Sequence, residues 1–305
     1  MTPSDWIQKL EEKYESQGQS LDTYLEGLYH AKPITYWDYI EVDTLLSLQK
    51  PRTDMPDEMI FILYHQVTEL LLKLVNHEIK QVTHSEDLTG AFMFEKMKRA
   101  NRYVQIAVQS FDVMREGMDP EQYNKYRMTL TPASGFQSAQ FRLCEIFCTD
   151  LWNLVINPRK KDLVGEKDIE KLFKYIYWQE AGIDRATGEK SLTLRLFEEK
   201  YLDEFNQAAE YYQTRNVWQR YLALPEAEKT AELQDLLKKF DRTFNVYWPK
   251  VHLRTAEKYL EHNQEEVKEA TGGSDWKKYL HPKFQRRIFF PGLLSAEELE
   301  NWGED

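Results

Sequence analysis

After Pro56, residues 57–83 contain neither glycine nor proline and place apolar side chains at helical spacing. A strand rarely exceeds about ten residues, so a run of this length and period has only a helix to fold into. Asp57 and Glu58 stand in its first turn, where acidic side chains complement the positive end of the helix dipole. The rest of the chain is punctuated in the same way. Its 12 glycines and 11 prolines fall mainly between periodic segments. The spacing predicts an amphipathic helical region over 5–29 and helices over 92–114, 136–156, 168–178, 192–222 and 226–259. Pro249 should kink or restart the last of these. Asp119-Pro120-Glu121-Gln122 opens a short helix with a capping acid, a proline at the first position and a glutamine three residues past the cap. No stretch reads as a credible sheet. The expected fold class is all-α, a multi-helix, bundle-like domain.

Charge and cysteine usage exclude several functions. A formal net charge of −11 argues against a nucleic-acid partner, because neutralising phosphates needs a basic face. The most basic short window, 275–287, reads as a solvated surface or a helix end. Cys144 and Cys148, the 2 cysteines, are too few for a disulfide framework or a structural zinc site and read as buried small hydrophobes. No run is long and apolar enough to span a membrane, and no leader pattern opens the chain, so a cytoplasmic protein is expected. The aromatic content is high, with 8 Trp, 18 Tyr and 15 Phe, and such rings must fill a core, a ligand pocket or a subunit interface.

Phosphate-binding glycine loops, His-Glu-x-x-His pairs and Gly-x-Ser-x-Gly elbows are missing. Four weaker features remain. Phe61 and His65 share a helix face one turn apart, so ring and imidazole look into one space. Taken alone, such a histidine is more often a satisfied core residue than a functional one. Tyr123 and Arg127 are related in the same way, and an arginine there is usually a surface ion-pair residue. His252 follows Trp248, and Thr271-Gly272-Gly273-Ser274 is a turn.

In combination these features are more specific. Phe61-x-x-x-His65-Gln66-x-x-Glu69-Leu70, Tyr123-x-x-x-Arg127, Ser134-Gly135-Phe136-Gln137-Ser138-x-Gln140-Phe141-Arg142 and Thr271-Gly272-Gly273-Ser274 resemble the tryptophan 2,3-dioxygenase family in identity and order. Tyr36-x-x-Tyr39-Ile40 resembles its opening segment. The resemblance implies an all-helical homotetramer that binds haem b and opens the indole ring of L-tryptophan with O₂, giving N-formylkynurenine. It implies an N-terminal helical arm over 1–34 and a single haem-binding catalytic domain over 35–305. It also implies residue roles. His252 would be the proximal iron ligand and His65 the distal histidine near the indole N–H. Phe61 would wall the indole, and Arg127 would bind the substrate carboxylate with Tyr123 beside it. Ser134 and Thr271 would line the substrate site, with Thr271 near the ammonium. Tyr36 and Tyr39 would reach a neighbouring subunit's site.

The chain departs from the family pattern at Thr68-Glu69-Leu70-Leu71-Leu72-Lys73, where the family is richer in aromatics. It departs again at Trp248-Pro249-Lys250-Val251-His252, where the family has Trp-Arg-x-x-His. His262 is the alternative iron ligand. Two other functions remain open: a related haem enzyme that mono-oxygenates or rearranges an aromatic amino acid, and a helical binding protein without haem.

Overall fold

A computed structural model describes residues 1–130, 137–183, 187–260 and 281–304. They are helical, and extended pairing among them is limited to two isolated bridges, Val155 with Ile176 and Ile183 with Lys190. The chain divides into two compact units, Met1–Lys50 and Pro51–Asp305.

In the first unit, the region expected over 5–29 is two helices, α1 (Pro3–Glu15) and α2 (Leu21–His30). Gly18, at φ 70°, makes the left-handed turn between them, a conformation that costs glycine nothing. A capping box starts α1: the Asp5 N–H donates to Thr2 Oγ1 at 3.3 Å, and the Asp5 carboxylate accepts the Thr2 N–H at 2.5 Å. Tyr14 stacks on Tyr24 with ring centroids 3.9 Å apart. Two short helices follow, α3 (Tyr36–Tyr39) and α4 (Val42–Leu46), and both tyrosines of α3 are exposed.

The second unit is built on α5 (Pro56–His84) and α6 (Gly90–Gly117), joined by the short link 85–89. Leu72, Val75, Ile79 and Val82 from α5 share one core with Met93, Met97, Ala100, Val104, Ala107 and Phe111 from α6. Each large apolar side chain buried there contributes about 1.5–3 kcal/mol relative to exposure. Gly90 opens α6 in close contact with another segment. A Cβ there would lie 2.3 Å from the Glu228 carbonyl oxygen, and its N–H donates to Glu228 Oε2 at 2.6 Å. The helix α7 (Pro120–Tyr126) starts as expected, with Asp119 Oδ1 accepting the Glu121 N–H at 2.7 Å, and passes into a 3₁₀ turn, Arg127–Leu130.

Several long helices expected from spacing are interrupted by side chains that bond backbone. The segment expected over 136–156 contains α8 (Ala139–Cys148), which stops at an extended Thr149. The Thr149 hydroxyl donates to the Phe289 carbonyl at 2.6 Å and accepts from Asn153 Nδ2 at 2.7 Å, an alternative to continued helix. Residues 168–178 hold Ile169–Phe173 and the start of Tyr177–Ala181, separated where Ile176 bridges to Val155. The 192–222 segment splits into α9 (Leu192–Tyr212) and α10 (Val217–Leu222), because Asn216 Oδ1 caps the Gln219 N–H at 3.0 Å.

The last long segment is α11 (Ala231–Arg242), a π-turn over Thr243–Tyr247 and α12 (Trp248–Leu260). Pro249 marks the place, as expected, and the form is a π-turn, in which the Trp248 N–H donates to the Thr243 carbonyl. A proline ring needs room at the carbonyl four residues back, here that of Asn245, and the wider turn supplies it.

The basic window contains a correction. Arg287 is buried inside a polar hub on α8 and Tyr177. Its Nη1 donates to Glu145 Oε1 at 2.6 Å and to the Tyr177 hydroxyl at 3.0 Å. Arg142 Nη1 donates to Glu145 Oε2 at 3.2 Å and also bonds Tyr177, whose hydroxyl donates to Glu145 Oε1 at 2.5 Å. Both guanidiniums lie over the Phe141 ring, 5.2 and 5.3 Å from its centroid. Cys144 and Cys148 are buried and unpaired with each other, as expected. Among the described residues no helix is long and apolar enough to cross a membrane.

Candidate active site

Phe61 and His65 meet on α5 as their spacing requires, with ring centroids 4.1 Å apart. The His65 Nδ1 lies 2.7 Å from the Phe61 carbonyl oxygen. A carbonyl only accepts, so Nδ1 carries the proton and Nε2 is left with a lone pair. Burial lowers the His65 pKa, opposed by the Phe61 carbonyl and the Glu69 carboxylate, and the ring is therefore neutral at neutral pH. Glu69, one turn further on, is held by Gln140, whose Nε2 donates to the Glu69 carbonyl at 2.8 Å and to its carboxylate at 3.0 Å.

The α7 helix brings an aromatic and cationic wall to the same face. Tyr123 and Tyr126 lie 6.1 and 6.0 Å from the Phe61 ring, and Tyr259 of α12 packs 5.0 Å from Tyr123. Tyr259 is fixed by its hydroxyl, which donates to the Met118 carbonyl at 3.2 Å and bonds the Met114 carbonyl. Burial raises the Tyr123 pKa, and the nearby Arg127 cation pulls it back. Arg127 is itself only 4% exposed. A guanidinium is rarely so enclosed without a partner of opposite charge or rich hydrogen bonding.

His252, on α12, is joined to the same cluster by ring contacts. Its ring lies 5.6 Å from Phe111, which also touches Tyr64 at 5.5 Å and Trp248 at 6.2 Å. Tyr64 in turn meets the His65 ring edge-on at 5.4 Å. Burial first, and the nearby His65 imidazole second, push the His252 pKa down to about 4. Both residues are half-buried, and burial dominates the titration of each. A neutral imidazole is the donor a haem iron takes from a protein, and the low pKa of His252 keeps it neutral, so the residues present fit that group.

Five of the expected residues, Phe61, His65, Tyr123, Arg127 and His252, thus stand in the second unit, linked by one chain of contacts through Tyr64 and Phe111. Ser134, Thr271 and the alternative ligand His262 lie outside the described residues. Tyr36 and Tyr39 belong to the first unit. Spacing marked Phe111 only as part of a core stripe, and it did not single out Tyr126 and Tyr259. The last was within reach, since a residue seven positions after His252 returns to the same helix face.

Comparison with known proteins identifies the family. The sequence model of the tryptophan 2,3-dioxygenase family matches residues 26–270. The tryptophan 2,3-dioxygenase of Bacillus thuringiensis subsp. konkukian (strain 97-27) is 28% identical over 275 residues, covering 86% of this chain and 91% of the relative. That of Anaeromyxobacter sp. (strain K) is 40% identical over 119 residues, covering 38% and 44%. That of Ruegeria sp. (strain TM1040) is 39% identical over 116 residues, covering 38% and 41%. From the order of its motifs, the geometry they converge on and a match across most of its length, the chain belongs to the tryptophan 2,3-dioxygenase family.

Proposed function

We propose that this protein is a haem-dependent dioxygenase that opens the indole ring of L-tryptophan with O₂ to give N-formylkynurenine. The observation that carries the reading is the cluster in the second unit, where a neutral His65 with its Nδ1 proton on the Phe61 carbonyl stands beside the Phe61 and Tyr123 rings and is linked to His252 through Tyr64 and Phe111. Arg127 pairs its planar fork with the substrate carboxylate and so fixes the amino-acid end. Phe61, Tyr123 and Tyr126 enclose the indole and exclude water from it. His65 Nε2 accepts the indole N–H, since a buried donor left unmade would cost about 1–3 kcal/mol. That N–H survives in the product as the formamide N–H, so no net proton has to leave through His65. The role of His65 is to hold and orient.

His252 would hold haem b, which supplies the activation of O₂ when bound. Both oxygen atoms enter the product as the indole C2–C3 bond breaks, one at each carbon. By the family resemblance, Ser134 and Thr271 would complete the substrate end, with Thr271 near the ammonium. By the family resemblance the enzyme works as a cytoplasmic homotetramer, in which residues 1–34 form an arm and Tyr36 and Tyr39 reach a neighbouring subunit's site.

The test is direct. Protein purified after expression with ample haem should show a Soret band. In the ferrous state, with L-tryptophan and O₂, it should form N-formylkynurenine, followed by absorbance and mass. Failure to retain or take up haem refutes the reading. A product heavier by one oxygen rather than two reassigns the enzyme to mono-oxygenation.

A further inference from the structure

Asp241 lies in the last turn of α11 with none of its surface accessible, yet it has no part in the cluster. Its Oδ1 accepts from Asn245 Nδ2 at 2.7 Å, and its Oδ2 accepts the backbone N–H groups of Phe289 and Phe290 at 2.8 and 3.0 Å. The first bond spans the junction at which α-helix becomes π-turn. The other two tie that junction to the apolar C-terminal segment, whose Phe289 carbonyl is held from the far side by Thr149. Phe244, inside the turn, is completely buried and packs 4.4 Å from Phe141 and 5.3 Å from Phe289.

The turn matters for direction. A π-turn closes its hydrogen bond around one residue more than an α-turn, and each helical residue advances about 100° around the axis. With the turn in place, Trp248 packs 5.5 Å from Phe141, and His252, one turn later, meets Phe111, whose ring also touches Tyr64 next to His65. Were residues 243–247 to relax into α-helix, every later side chain of α12 would swing by roughly 100° against its neighbours. His252 would then leave the cluster.

We propose that Asp241, through Asn245 and the Phe289 and Phe290 amides, is a positioning residue that holds the π-turn Thr243–Tyr247 and thereby sets the direction of His252. The proposal rests on His252 being the haem ligand. The clip does not need a charge, only acceptors and donors in the right places. Burial already pushes the Asp241 carboxyl up to about 7. Among the described residues the buried Asn245 Oδ1 has no hydrogen-bond partner, so it could take an amide N–H from position 241 after its own side chain flips. Asp241→Asn should therefore preserve the clip, whereas Asp241→Ala removes it.

The experiment compares haem-loaded wild type, Asp241→Asn and Asp241→Ala by electron paramagnetic resonance, by the iron–histidine stretch in resonance Raman and by thermal unfolding. Asp241→Ala is expected to lose the wild-type histidine-ligated signature in most of the population, and Asp241→Asn to restore it. A wild-type signature in Asp241→Ala, whatever its melting temperature, overturns the proposal and leaves a clip that only stabilises the core. A signature in Asp241→Asn as altered as in Asp241→Ala overturns it as well. If Asp241→Ala does not fold, Asn245→Ala, which removes only the bond across the junction, is judged by the same loss or retention. Absence of histidine-ligated haem in the wild type would instead refute the proposed function, so the two failures are distinguishable.

Discussion

Replacing Glu145 with glutamine should destabilise the fold far more than an ordinary surface substitution. The carboxylate is 0% exposed and accepts bonds at 2.5, 2.6 and 3.2 Å from Tyr177, Arg287 and Arg142. Glutamine keeps the shape and removes the charge. If its carbonyl takes the place of Oε1, serving Tyr177 and Arg287, its amide N–H groups face the Arg142 guanidinium, donor against donor. Two buried cations then lose their shared counter-charge. Breaking a buried pair from one side costs about 3–5 kcal/mol, because the stranded charge stays buried. For a chain of this size that lowers the melting temperature by roughly 6–15 °C. Equilibrium urea unfolding followed by both circular dichroism and tryptophan fluorescence would measure it. Replacing Glu145 with leucine and both arginines with methionine should recover much of the loss, since a matched apolar substitute for a buried ionic group is often neutral. A cost below about 1 kcal/mol for Glu145→Gln would refute the reasoning and mean that water or rearranged partners solvate the arginines.

The remaining predictions concern the cluster. Arg127→Ala should raise KM for L-tryptophan roughly ten- to hundredfold, the equivalent of about 1.5–3 kcal/mol for a charge-assisted hydrogen bond, and an unchanged KM would remove Arg127 from the carboxylate. His65 has a pKa below the ordinary 6.5, so its accepting Nε2 persists above that value and is lost only as pH falls beneath it. The pH profile of kcat/KM should show its acid limb below 6.5 and lose that limb in His65→Gln; an acid limb at or above 6.5 would contradict the assignment. His252→Ala should abolish haem retention or change the ligation spectrum, and an unaltered spectrum would transfer ligation to another residue such as His262.

What could be read from the sequence was local. The faces of α5 and α6, the capped start of α7 and the Phe61–His65 and Tyr123–Arg127 pairs all follow from helical periodicity, and each stands where spacing put it. The interruptions were decided elsewhere. Thr149 stops α8 because its hydroxyl finds the Phe289 carbonyl, and nothing near Thr149 in sequence announces that acceptor. Arg287 looked like a member of a solvated basic run for the same reason, because its partner Glu145 belongs to α8. Pro249 located the break before α12 correctly, but a proline specifies only a missing donor and a bulky ring, and the π-turn that accommodates it is chosen by Asp241, Asn245 and the packing of Phe244. The cluster was legible as separate pairs. Its joining through Tyr64 and Phe111 was not, because rings on different helices carry no shared spacing.

The attachment of Phe289 and Arg287 to Thr149 and Glu145 also has a kinetic consequence. These bonds close loops of 140 and 142 residues. Closing so long a loop has to precede any gain from its contacts, which slows the step that makes them. Until that step, Glu145 faces Arg142 and Tyr177 without its second guanidinium, and Asp241 lacks its two amide donors. The helix bearing His252 is thus secured late, when a stretch near the end of the chain arrives. Refolding rates should accordingly be more sensitive to substitutions within α5 and α6, whose pairing is local, and unfolding rates more sensitive to substitutions at Thr149 and Arg287.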